Sequence, residues 1–519
     1  MSAQVRGTGS LRMATDLPWS QAVVCSIRVS AASHASLITA GLAICLGLGS
    51  RVDAQTAPTS VAGAGSVVSW NLRNVSRVES WRFFEPKPGG GDPDYTFVGT
   101  RLQAELKWTT RRVDVAVTGQ YAGLAGLPTS AVGPGALGTG PLYFTQSGRV
   151  TSPQRLYLRH ATLRAKNLAG QLDLTVGRQA YASGSEVVTT DAKIEAVRRQ
   201  RLNARLVGEF EWSLFQRGFD AVRLDWRRPR WQFTAVGASP TQGGFAKDAG
   251  AMMRDVFVGG MSITSRGTES TGRRQLQLFV WRYDDDRPVT GRPDNVGGSV
   301  AAADVGLTTV GGHWLGARGM GRGEVDTFVW AAWQTGRWYG DDHRAWSVAA
   351  ELGYQWTAAR WTPWIRGGIL HASGDDDARD GRHGTFFPMV PTMRRFSQTT
   401  AYSTMNLTDQ FVQLVLRPAR TLQARLDVHR LGLASAADLW YAGSGATLST
   451  GTNFGFVGRP SHGATRLGTT FESSLDWTVR PTWSLNGFAG AIRGGPVVTG
   501  TFSGRSLWFA YLESVWRLR

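Results

Sequence analysis

Apolar and polar residues alternate along most of this chain from Val67 onward. In Thr100–Trp108, the side chains of Leu102, Ala104, Leu106 and Trp108 share one face, and Arg101, Gln103, Glu105 and Lys107 share the other. Trp346–Trp356 repeats this, with Trp346, Val348, Ala350, Leu352, Tyr354 and Trp356 opposite Ser347, Glu351 and Gln355. Alternation of this length is the pattern of a strand with one apolar and one polar face. Eighteen segments follow it. They begin near Val67, Tyr95, Val113, Gln154, Gly170, Gly218, Arg230, Asp255, Arg274, Asp304, Gly323, His343, Arg360, Asp409, Leu422, Arg466, Trp483 and Leu507.

The connections carry a second signal. Eight mostly short turns, among them Arg111-Arg112, Arg227-Arg228-Pro229 and Pro481-Thr482, alternate with nine mostly longer loops, among them Leu127–Pro153, Ser183–Arg217, Gly374–Thr408 and Ala434–Thr465. Short at one end and long at the other predicts an all-β fold: a single transmembrane antiparallel β-barrel of about 18 strands. Its short turns would be periplasmic, its long loops extracellular, and both termini would lie at the turn end. A secreted β-sandwich or propeller is the competing architecture, but it gives no reason for Trp and Leu on the outer face of nearly every strand. Eighteen strands imply a barrel roughly 35 Å across, with a lumen that side chains alone cannot fill.

Ahead of the barrel, Leu37–Gly49 is apolar with Arg28 upstream, and Val52-Asp53-Ala54 has the small-residue pattern of a signal-peptidase site. Residues 1–54 therefore read as a signal peptide, 55–66 as a short periplasmic segment and 67–519 as the barrel. Both cysteines, Cys25 and Cys45, fall in the signal, so the exported chain has no thiol and needs no disulfide framework. No later run approaches the roughly 18 apolar residues of a membrane helix. The localisation that follows is the outer membrane of a Gram-negative bacterium.

Composition adds charge. Of 57 basic residues only five are Lys, and the formal net charge is +18. Losing residues 1–54 removes four Arg and two Asp and leaves +16, which disfavours a cationic ligand. There is no G-x-S-x-G, H-E-x-x-H or P-loop, and the eight His are scattered, so no enzyme is expected.

Four stretches, taken in order, resemble the alginate export family of outer-membrane porins: Leu174-Thr-Val-Gly177-Arg178-Gln179, Gly218-Phe219-Asp220-Ala-Val-Arg-Leu224, Ala372-Ser-Gly374-Asp375-Asp376, and Gly384-Thr-Phe-Phe-Pro-Met-Val-Pro391-Thr392. The resemblance implies an 18-stranded monomer passing an anionic polysaccharide, such as alginate or related uronic-acid sugars, through an Arg-lined constriction. It also leaves room for a periplasmic secretion complex as a partner. One departure bears on the cargo. Where the family has a His and then a Gly after Pro-Thr, this chain has Met393-Arg394-Arg395.

Strand parity nominates lumen residues. Arg73, Arg101, Arg223, Arg366 and Arg425 fall on polar faces, and Arg198, Arg199, Arg201 and Arg205 cluster in the loop from Ser183 to Arg217. Acidic residues share those faces, Glu351, Asp225 and Asp427 among them. Arg223/Asp225 and Arg425/Asp427 are therefore expected to pair with one another. Arg178 conflicts with parity, because Leu172, Leu174 and Val176 look lipid-facing; a bulge at Gly177 would turn it inward. No cofactor is expected, although Asp375–Asp380 offers hard oxygen ligands that suit Ca²⁺ as well as a solvated loop. The expected function is a channel for anionic solutes, a uronate polymer first. A generic small-anion diffusion porin and a surface adhesin stay open as alternatives. Membrane lipid is a partner and nucleic acid is not.

Overall fold

The computed structural model describes residues 61–63, 65–133, 136–265, 273–392, 397–399 and 401–519. The expected signal peptide, most of the 55–66 segment and Met393-Arg394-Arg395 lie outside them. Eighteen antiparallel strands form one closed sheet: β1 Ser66–Arg82, β2 Asp94–Thr110, β3 Val113–Ala125, β4 Gln154–Leu168, β5 Leu172–Gln179, β6 Phe219–Arg227, β7 Trp231–Pro240, β8 Val256–Ser265, β9 Arg274–Asp285, β10 Val305–Met320, β11 Gly323–Trp338, β12 Asp341–Gln355, β13 Trp364–Ala372, β14 Leu407–Ala419, β15 Leu422–Gly432, β16 Arg466–Arg480, β17 Trp483–Gly494 and β18 Ser506–Leu518. Each pairs with its sequence neighbours, and β1 closes onto β18 from Leu72↔Leu518 to Arg82↔Trp508. Closure leaves no strand edge, which is what permits a sheet to cross hydrocarbon.

All eighteen strands begin within four residues of the positions read from the alternation. Side-chain parity explains this accuracy. On the outer face Leu106, Leu352 and Val412 are exposed. On the inner face the polar groups are buried against one another: Gln103 Nε2 donates to Gln120 Oε1 at 2.7 Å, and Gln413 Nε2 to Asp427 Oδ1 at 2.7 Å. An apolar exterior over a hydrogen-bonded polar interior inverts a soluble protein and matches a bilayer.

The two ends differ as the connections foretell, with one exception. The link between β11 and β12 at the long-loop end is only Tyr339-Gly340. Both residues have positive φ (49° and 89°), the conformation of a tight two-residue hairpin. The remaining long loops carry helices α1 (Thr139–Gln146), α2 (Ala192–Val197) and α3 (Pro496–Thr501). The loop after β15 adds a small hairpin, Trp440–Gly443 against Phe456–Arg459.

The outward face makes a direct prediction. Val412 sits mid-strand on the exposed outer face of β14. Val412→Arg should lower unfolding stability in lipid bilayers by ~2–4 kcal/mol, the cost of a lipid-facing Arg at the midplane. Val412→Leu should be neutral in the same urea titration, and equal midpoints for the two variants would contradict this placement.

An inward loop and a charged lumen as candidate functional site

The segment between β5 and β6, residues 180–218, leaves and rejoins the barrel at the long-loop end, yet its tip lies at the opposite end. Arg273, immediately before β9, donates to the Asp191 carboxylate and, at 2.7 Å, to Glu324 at the start of β11. Lys193 donates to Gln355, the last residue of β12, and stands 3.5 Å from Glu324 and 3.9 Å from Asp326. Its ammonium also lies 3.8 Å from the ring centroid of Trp364, the first residue of β13. These partners all belong to the short-turn end, so the loop descends the whole lumen.

Local sequence shapes the tip. Asp191 caps α2 by accepting from the backbone N–H groups of Lys193 and Ile194, both at 2.9 Å. A π-helical turn, Arg198–Leu202, follows. Such turns are rare and frequent at functional sites. Arg198, Arg201 and Arg205 are buried there, whereas Arg199 is exposed and held by Glu195 at 2.6 Å.

The returning half crosses to the opposite wall. Arg77 donates to Trp212 O at 2.7 Å, Arg101 to Ser213 O at 2.6 Å, Gln120 to Leu214 O at 2.9 Å and Tyr157 to Gln216 O at 3.0 Å. Irregular backbone at membrane depth needs such donors, because no ladder satisfies its carbonyls. The loop after β13 supports the same stretch: Gly208 N donates to Val390 O, Val390 N to Leu206 O, and Thr392 N to Ala204 O. Thr392 Oγ1 also accepts from Phe210 N. Pro391-Thr392 thus lies where two inward loops are stitched together.

The charge is concentrated at one carboxylate. Glu351 on β12 accepts from Arg201 Nε at 2.8 Å and lies 3.0 Å from Arg366 Nη2 and 3.7 Å from Arg205 Nη2. Arg366 also reaches Asp326 at 3.2 Å. Lys193, Arg201, Arg205, Arg273 and Arg366 connect through Asp191, Glu324, Asp326 and Glu351, while Arg198 and Arg199 share Glu195. Burial pulls the Arg205 guanidinium down to about 9, with Glu351 and Asp409 pulling the other way and Arg201 adding to the fall.

The other nominated residues divide. Arg223 and Arg425 face inward and pair with Asp225 at 2.8 Å and Asp427 at 2.5 Å, as their shared faces foretold. Arg73 faces the lumen half-buried. Arg101 also points inward, but it is buried beneath the loop and engaged with its carbonyls, so it anchors the loop instead of presenting charge to a solute.

Arg178 requires a correction. Gly177 has a φ of 106°, and a Cβ there would meet Ala161 O at 2.3 Å. The register nonetheless runs unbroken through Thr162↔Gly177 and Ala161↔Arg178. Arg178 therefore stays on the outer face, at the penultimate position of β5. A bidentate pair with Asp220 (2.8 and 2.7 Å) and the Gly250 carbonyl at 2.7 Å hold it there. The bulge lies one strand away. Thr118↔His160 and Gly119↔Leu158 leave Arg159 without a partner position, and Arg159 turns inward, buried, onto Glu209. A sequence signal for it exists. Leu156, Leu158 and Leu163 are all exposed on the outside, so the apolar phase of β4 switches from even to odd across Arg159. Lys193 and Arg273 carry no comparable signal.

The remaining family-motif residues have structural roles. Phe219 is fully buried, Gln179 Nε2 donates to Ala221 O at 3.1 Å, and Gly374 packs so tightly that a Cβ would meet Asn406 Oδ1 at 2.1 Å. Asp375 N donates to Asp438 at 3.0 Å. In the Asp-rich loop, Asp377 and Asp380 accept from the backbone of Arg379 and Arg382. Among the described residues, no group of three or more His, Cys, Asp or Glu is arranged to hold a metal ion.

Comparison with known proteins adds a family and a fold. The alginate export family model matches residues 95–505. Among solved structures, OccAB3 of Acinetobacter baumannii is similar with a TM-score of 0.54 at 9% identity, covering 87% of this chain and 99% of that one. OccK9 (OpdG) of Pseudomonas aeruginosa and a BenF-like porin of Pseudomonas fluorescens Pf-5 each give 0.53 at 11% identity, covering 87% of this chain and 98% of theirs. No curated protein matches.

The tip contacts form a latch that can be tested. Arg273→Ala removes two partly exposed ion pairs worth together roughly 1 kcal/mol. Amides of residues 186–197 should then exchange about fivefold faster, and single-channel conductance should rise. Unchanged exchange in this segment would show that the tip is held by packing alone.

Proposed function

We propose, from the premise that this chain belongs to the alginate export family and forms an outer-membrane channel, that it passes anionic solutes, carboxylate-bearing sugars first. The long loops are then extracellular and the short turns periplasmic. The observation that carries this reading is the meeting of Arg201, Arg205 and Arg366 at Glu351. A guanidinium fork meets a carboxylate or sugar acid with two parallel hydrogen bonds and stays charged at any physiological pH. Water-poor walls focus the field of such a group. An arriving carboxylate would compete with Glu351 for these forks and be handed along Arg198, Arg201 and Arg205. Residues 1–54 are proposed as the export signal that brings the chain to the periplasm.

A second reading has its own support. The loop of residues 180–218 crosses from β12 to β1–β4, so a polymer needs it to move aside, whereas a small organic anion needs only gaps. A conductance assay separates the two. With wild type in planar bilayers, an oligouronate added on the periplasmic side should interrupt the current in resolved blocks. Arg201→Gln/Arg205→Gln/Arg366→Gln should shorten those blocks about tenfold, the loss of roughly one charge-assisted contact. Blocks by benzoate or glutarate but not by the oligouronate would favour the small-anion channel. No block by any anion would end both readings.

A further inference from the structure

Exposed arginines recur around the periplasmic rim. The turn after β2 is Arg111-Arg112, and the turn after β6 carries Arg228 and Arg230, all four exposed. The turns after β10, β12, β14 and β16 continue the series, each with at least one exposed Arg in the turn or at the end of the preceding strand. Acids are few at this end: the sequence places Glu269 in the turn after β8, and Asp114, Asp173 and Glu324 at the adjoining strand starts are paired with Lys166, Arg164 and Arg273. The extracellular loops themselves carry acids, Asp286 and Asp375–Asp377 among them.

The same rim carries an outward aromatic belt, with Trp108, Trp226, Trp231, Trp361 and Trp477 each 40–44% exposed. Belts of this kind sit at headgroup depth. Two of the arginines are placed against it. The Arg228 guanidinium carbon lies 4.7 Å from the Trp226 ring centroid, and that of Arg360 lies 5.1 Å from the Trp361 centroid. Guanidiniums stacked on lipid-facing rings lie beside the bilayer, at the height of its phosphates, and not over the channel mouth.

We propose that this rim is a collar that binds anionic phospholipid headgroups of the periplasmic leaflet. The planar fork suits phosphate bidentately, and juxtamembrane basic residues favour anionic lipid additively. The collar fixes the depth of the barrel and enriches phosphatidylglycerol-type lipid around its periplasmic half.

The test uses the full barrel reconstituted in vesicles of dioleoyl phosphatidylcholine, with brominated phosphatidylglycerol or brominated phosphatidylcholine as quencher of tryptophan fluorescence. Wild type should bind phosphatidylglycerol about five- to tenfold more strongly than phosphatidylcholine at low salt, and the preference should shrink in high salt. Arg228→Gln/Arg230→Gln/Arg360→Gln/Arg417→Gln should bring the ratio toward one, and the same four positions as Lys should restore most of it. A heat-modifiable gel shift confirms that each variant folds. A wild-type ratio near one overturns the proposal without the variants. A preference that survives the Gln variant also overturns it, as does a Gln variant that changes reversal potential while the lipid ratio stays put, which would assign the collar to the conduction path. Soluble polygalacturonate bound by wild type and lost in the Gln variant, with no lipid preference, would assign the rim to an acidic periplasmic polymer instead.

Discussion

Hydrocarbon offers no partner to a peptide N–H or C=O, and the rest of this structure depends on that constraint. The β1–β18 ladder from Leu72↔Leu518 to Arg82↔Trp508 removes the last sheet edge. Once closed, the barrel must be apolar outside and is free to be polar inside. The interior then holds charge that a soluble core of this size would exclude, and that charge must be paired within the lumen. The same requirement governs the inward loop. Its carbonyls between Trp212 and Gln216 sit at membrane depth, and Arg77, Arg101, Gln120 and Tyr157 supply their donors.

Two uses of arginine follow. Against β1–β4 the guanidiniums hold backbone, and their charge is engaged in fixing the loop. Against β11–β13 they share carboxylates. Glu351 serves three guanidiniums, and Asp326 is shared by Arg366, Lys193 and the Trp364 indole. Removing one member of a buried network of this kind leaves the others uncompensated, so the arrangement is sensitive to any anion that arrives. A loop anchored through its backbone on one wall and through shared carboxylates on the other can position charge in the lumen while remaining open to displacement.

The fold was legible because a strand with one face in lipid must alternate, and all eighteen strand starts fall within four residues of the alternating segments. Side-chain pairs on one strand were legible for the same reason: Arg223/Asp225 and Arg425/Asp427 share a face and meet. The path of the 180–218 loop was not. Nothing local to Asp191 announces contact with Arg273, 82 residues distant, and nothing local to Lys193 announces contact with Gln355, 162 residues distant; barrel closure brings them near. Parity alone puts Arg178 outside, and a glycine within a strand suggests a bulge that the register at Gly177 does not contain. The glycine is needed for its close approach to Ala161 O, while the true bulge at Arg159 was announced by the change of apolar phase in β4.

Anion passage as proposed requires that the arginines dominate the local field where the loop meets β11–β13. The reversal potential of the wild-type channel in a planar bilayer across a KCl gradient tests it most directly. The potential should take the sign set by chloride and grow as ionic strength falls and screening weakens. A potential of the sign set by potassium, or one indistinguishable from zero at low salt, would contradict it.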